Sequence, residues 1–143
     1  MLQTSAMPDH FQLTDAEFEQ QFAHCTLDAS LFSHEAHLRL AWIHLRQYGL
    51  QQATDNICRQ LVAYTRSLGA ESKYNKTLTV AAVKAVHHFM QRSEANDFRV
   101  FIAGFPRLKF NFKELMAAHY STDIFSSEQA KKEYLEPDLL PFS

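Results

Sequence analysis

The sequence predicts an all-α, single-domain helical bundle over residues 1–143, with about four main helices and short C-terminal ones. Three observations lead there. The chain has 143 residues with 46% hydrophobic content but only 3 glycines and 4 prolines, too few turn residues for a succession of strands. Its polar residues recur as helix caps in front of apolar stretches. At this length a chain buries about 70% of its unfolded surface, enough for a core of its own.

The first helix is written in Leu13-Thr14-Asp15-Ala16-Glu17-Phe18. Thr14 can cap the amide of Glu17 while the Glu17 carboxylate reaches back, and Leu13 can staple onto Phe18; the helix ends near His24. A second starts behind Ser33 and runs to Gly49, a residue suited to a left-handed stop. The third covers about Leu50 to Leu68, with Ala53, Ile57, Leu61 and Leu68 on one side, and stops at Gly69. A fourth begins near Tyr74 or Asn75 and extends to about Arg92, with Leu78, Ala82, Val86, Phe89 and Met90 as its apolar stripe.

A fifth helix follows Asp97 and ends before Pro106. Asn111 with Glu114, and Ser126 with Gln129, predict short helices over about 112–119 and 127–134. Residues 1–13 are expected to be loose, His10 among them, and residues 136–143, with two prolines, to lie extended on the bundle.

Composition excludes several partners. With 14 Lys+Arg against 16 Asp+Glu, the net charge of -2 offers nothing to a nucleic acid. The best apolar run, Leu78 to Val83, contains Thr79 and stops at Lys84, far short of the roughly 20 residues that span a bilayer, so no membrane partner is expected. Residues 1–13 carry no Lys or Arg and no apolar core of a signal peptide, and the 2 cysteines stand alone, which together predict a cytoplasmic protein.

Histidine is the compositional anomaly, with 8 in the chain. At about 100° per residue, His34 falls with Leu38, Ala41 and Leu45 on the core side of the second helix, and His37 at the edge of that face. Glu35 and Arg39 share another side at i,i+4, the spacing of a surface ion pair. On the fourth helix, Asn75 and Thr79 occupy the apolar stripe, and His88 faces solvent. Short loops make successive helices antiparallel, which brings the starts of the second and fourth to the same end of the bundle. His34 and His37 then share a layer with Tyr74, Asn75 and Thr79, with Tyr64 and His24 as weaker candidates.

Such a cluster reads as a small-molecule pocket, for binding or for acid/base chemistry, with the histidines reactive and Tyr74, Asn75 and Thr79 orienting the ligand. The alternative is a structural or protein-interaction domain whose polar cluster only fixes helix register. A third reading is a divalent-metal site on His34 and His37, but it lacks the third protein ligand that zinc catalysis requires, and HEAH is not the HExxH of a metalloprotease.

The segments Ser33-His34-Glu35-Ala36-His37-Leu38-Arg39, Tyr74-Asn75-Lys76-Thr77-Leu78-Thr79, Ala118-His119-Tyr120-Ser121 and Pro137-Asp138-Leu139 carry a resemblance. In order and spacing they are similar to the motifs of a family of small uncharacterised bacterial all-helical proteins: a THEAHL-like helix, a YHETIT-like helix start, a YYS turn and a PDL tail. The resemblance runs from about Phe32 to Phe142 and brings no activity with it. It implies that His34, His37, Tyr74, Thr77 and Thr79 stand at motif positions. The chain departs from that pattern at Asn75, where the family often has His, and at His119, where it often has Tyr. An amide at 75 weakens a three-histidine metal site but keeps a hydrogen-bonding pocket.

Overall fold

The computed structural model describes residues 9–142. Their regular structure is seven α-helices with three short 3-10 turns and no strand. Helix α1 (Asp15–Ala23) opens with the expected capping box: Thr14 accepts from the Glu17 amide at 3.1 Å, and Glu17 accepts from the Thr14 amide at 2.9 Å. It drives Phe18 and Phe22, both fully buried, into the core, each contributing roughly 1.5 to 3 kcal/mol.

Helix α2 (His34–Ser67) contains the second and third predicted helices as two arms separated at Gly49. Ser33 caps the first arm by accepting from the Ala36 amide. Gly49 has φ 83° and ψ 171°, an extended positive-φ conformation reserved for glycine, rather than the left-handed helical one expected of a helix stop. The arms fold back on each other: Phe32 packs on Tyr64 with centroids 5.2 Å apart, and nearer the turn His44 meets Asn56. The second arm ends in a Schellman motif, with Gly69 at φ 68° and the Ala70 and Gly69 amides donating to the carbonyls of Thr65 and Arg66.

Helix α3 (Lys76–Met90) starts one residue later than expected, because Asn75 is its cap and not part of its stripe: Asn75 Oδ1 accepts from the Leu78 amide at 2.9 Å. Its buried face also differs. Thr77, Val80, Ala81, Val83, Ala85 and Val86 are buried, whereas Leu78, Ala82, Phe89 and Met90 are only partly so. The C-terminal segments covering the Thr77 side make α3 a two-sided helix.

Helices α4 (Phe98–Gly104), α5 (Pro106–Phe110), α6 (Phe112–Ala117) and α7 (Glu128–Lys132) complete the bundle. Asp97 caps α4 as expected. The sequence reading passed over α5, which begins with Pro106 in its first turn, where a missing N–H costs nothing. Two caps are corrected. Asn111 makes no side-chain cap bond to α6, and Ser127, not Ser126, caps α7, since Ser126 is held by Asp123. The tail lies extended as expected. Asp138 accepts from the Ser121 amide, and Phe142 stacks on His119 at 4.1 Å. His88 is half-buried beside His119 and Phe142 rather than facing solvent.

The largest departure concerns Arg39 and the N-terminal segment. Residues 1–8 and 143 lie outside the described residues; within 9–13, His10–Gln12 form a 3-10 turn and His10 is 1% exposed. Arg39 does not pair with Glu35 on the surface. It is 5% exposed and donates to Asp15 Oδ1 at 2.8 Å, to the Leu13 carbonyl at 2.8 Å and to the His10 carbonyl at 2.6 Å, with Phe18 beneath its guanidinium at 5.1 Å. Glu35 instead bonds His10 Nε2 and Lys109 Nζ, each at 2.9 Å. Carbonyls presented by a non-helical segment outcompete a surface carboxylate because a buried guanidinium needs several acceptors at once.

Replacing Arg39 with Met strands the Leu13 carbonyl and takes from the His10 carbonyl one of its two donors, the other being the Leu13 amide. Urea unfolding is expected to show a loss of about 2 to 4 kcal/mol, against less than about 1 kcal/mol for Asp15→Asn, whose side chain is 49% exposed.

Candidate functional site: a cavity between the two arms of α2 and helix α3

The antiparallel arms and α3 do not close completely. Between them lies a cavity of about 470 Å³, within the range of small-molecule sites. Its floor is apolar: Leu38, Leu40, Ala41 and Val83 are at most 2% exposed, joined by Ile57 and Leu61. Phe112 and Phe125 from the C-terminal half form a further wall, and the exposed residues Ala29, Leu68 and Lys73 stand at the opening.

Six of the residues singled out in the sequence line this one cavity: His34, His37, Tyr64, Tyr74, Asn75 and Thr79. Thr77 does not. Its side chain is fully buried on the opposite side of α3, donating to the Glu133 carbonyl at 2.7 Å and accepting from the Leu135 amide at 3.0 Å. His24 is exposed and lies outside the lining.

Most of the polar groups in the lining are engaged by the protein itself. The Asn75 amide donates to the Ile124 carbonyl at 2.7 Å while capping α3. Thr79 Oγ1 donates to the Asn75 carbonyl at 2.7 Å, and the Tyr64 hydroxyl to the Leu27 carbonyl at 2.9 Å. The Tyr74 hydroxyl pairs with the Cys58 thiol, and burial raises the pKa of both groups, so both stay protonated. His34 Nε2 donates to the Leu108 carbonyl at 2.9 Å, leaving Nδ1 as its other ring nitrogen, and its ring lies 4.8 Å from that of Phe112.

His37 differs. Its ring stacks on Phe32 with centroids 4.0 Å apart and makes no hydrogen bond among the described residues. It keeps accessible surface while lining the cavity. The protein packed around it disfavours the cation, helped by the neighbouring His34, and its pKa falls to about 4. His37 is therefore a neutral imidazole, able to donate from one nitrogen and accept at the other.

Among the described residues, no three His, Cys, Asp or Glu side chains converge to hold a metal ion, so His34 and His37 stand as a pair of imidazoles without a third such ligand. No helix among those residues is long and apolar enough to cross a membrane. Sequence reasoning missed Phe32, Phe112, Phe125, Lys73 and Cys58. The three phenylalanines gave no signal apart from bulk, and Lys73 stood in a connection that read as merely polar.

The fold and site define an all-α domain with an amphipathic cavity between the arms of α2 and α3. Comparison of the chain with protein-family models, with curated proteins and with solved structures returned no match.

The low pKa of His37 has a consequence for stability. Between the unfolded value of about 6.5 and the folded value of about 4, the unfolded chain binds more protons at this residue, so its contribution is complete above the former and is lost as pH falls toward the latter. In His37→Gln the decline of urea-unfolding stability across that interval is expected to be shallower than in the parent. An unchanged slope would show that His37 titrates normally.

Proposed function

We propose that this chain binds a small, largely apolar molecule in the cavity between the arms of α2 and α3, with His37 as the protein's hydrogen-bonding partner for it. One observation carries the reading: in a cavity whose other polar groups are mostly satisfied internally, the His37 ring is left with no partner and with accessible surface. An accessible polar group that no protein group engages is free to exchange water for a ligand's hydrogen-bonding group.

Binding is favoured over acid/base catalysis by the basicity of the ring. A general base works best with a pKa near the operating pH, and one held at about 4 is a weak acceptor at neutrality. The register-fixing role suits the other polar residues: Asn75, Thr77 and Tyr64 each tie one segment to another, and Thr79 bonds back within its own helix.

Titration calorimetry with 1-octanol, which has an apolar body and one hydroxyl, tests the proposal. Saturable binding at one site is expected. Ala82→Trp, which places an indole in the cavity, should abolish it while the circular dichroism of the fold is retained, and His37→Phe should weaken it by about fivefold to tenfold. Binding that survives Ala82→Trp would overturn the assignment.

A further inference from the structure

We infer that the ligand of this cavity is an amphiphilic anion, an apolar monocarboxylate whose chain lies on the floor and whose carboxylate sits at the opening beside Lys73. This rests on the binding role proposed above and adds the charge and orientation of the ligand.

Three features of the cavity point the same way. Among the described residues, Lys73 is the one Lys or Arg in its lining, and no Asp or Glu contributes to it. A cationic ligand would find no counter-charge in that lining, Asp28 acting on Tyr64 from outside it, whereas an anion finds one. The lining is also graded. The exposed Lys73, His34 and His37 belong to the open side, and the buried Leu38, Leu40, Ala41 and Val83 to the floor. A carboxylate at that opening stays partly hydrated, as Lys73 does, so the desolvation that penalises a buried charge is largely avoided.

The two long helices add to this polarity. His34 is the first residue of the first arm of α2, which ends at Gly49, and Asn75 caps α3, 15 residues long; both line the cavity. Two positive helix ends therefore border the same space, against one negative end where the second arm stops at Thr65 and Leu68. The neutral His37 completes the arrangement, since its N–H can donate to a carboxylate oxygen without a competing bond from the protein.

Calorimetric titrations with octanoate, 1-octanol and octylammonium, ligands of one chain length and different head charge, test the inference. Octanoate is expected to bind about tenfold more tightly than octanol, and octylammonium more weakly than either. Hexanoate, two methylenes shorter, should bind about tenfold more weakly than octanoate. Lys73→Met should bring octanoate to the affinity that octanol has for the same variant, and Lys73→Arg should restore the preference. Lys73 is exposed, so neither substitution threatens the fold. Octanol binding as tightly as octanoate, or a preference that persists in Lys73→Met, would overturn the inference and leave the binding role standing. Failure of both octanol and octanoate to bind would overturn both.

Discussion

The reversal at Gly49 is the constraint on which the rest of the structure depends. A single residue with φ 83° and ψ 171° turns a helical stretch of 34 residues into two arms lying side by side. Side chains spaced along one chain segment thereby become opposite walls: His34, Leu38 and Ala41 on one arm face the same space as Ile57, Leu61 and Tyr64 on the other. Any L-amino acid with a Cβ is strained in that conformation, so the geometry of the site rests on the one residue type that tolerates the turn.

Around that turn the protein separates two uses of polar side chains. Arg39, Asn75, Thr77 and Tyr64 are buried and saturated, each joining segments far apart in the chain through backbone carbonyls. Buried polar groups that are fully paired fix one arrangement among many. His37 and Lys73 are left out of these networks, one neutral and one charged, on the accessible side of the same cavity. Rigid walls and uncommitted contact groups are what a preorganised site requires, since little is then spent on ordering the protein when a ligand arrives.

What the sequence revealed follows the range of the interactions. Thr14, Ser33 and Asp97 announced their helices because a cap bond closes within three residues. The meeting of His34, His37, Tyr74, Asn75 and Thr79 was legible as well, since alternating helix direction alone brings the two helix starts together. Arg39 was misread because its acceptors lie 24 to 29 residues away, and no periodicity within one helix reports them. Asn75 looked like a stripe residue because a helical wheel treats a cap as if it were already helical. Thr77 was grouped with the pocket by its place in a motif, whereas its hydroxyl serves the segment after α7 on the other side of α3. The aromatic walls come from residues with no local pattern to mark them.

The long-range bonds around the cavity also impose an order of assembly. The bond from His34 to the Leu108 carbonyl spans 74 residues, that from Asn75 to Ile124 spans 49, and that from Thr77 to Glu133 spans 56. The arms of α2, by contrast, are continuous in sequence and can pair as soon as both exist. Loop closure makes distant contacts the slower ones, and on the ribosome they wait for synthesis of the C-terminal third. Until the chain reaches Phe112 and Phe125, a paired hairpin would lack the wall that those two residues supply to its apolar floor. A nascent chain held at that stage presents to its surroundings the same greasy surface that the mature protein keeps inside, so the interval before closure is when this sequence most needs protection from aggregation.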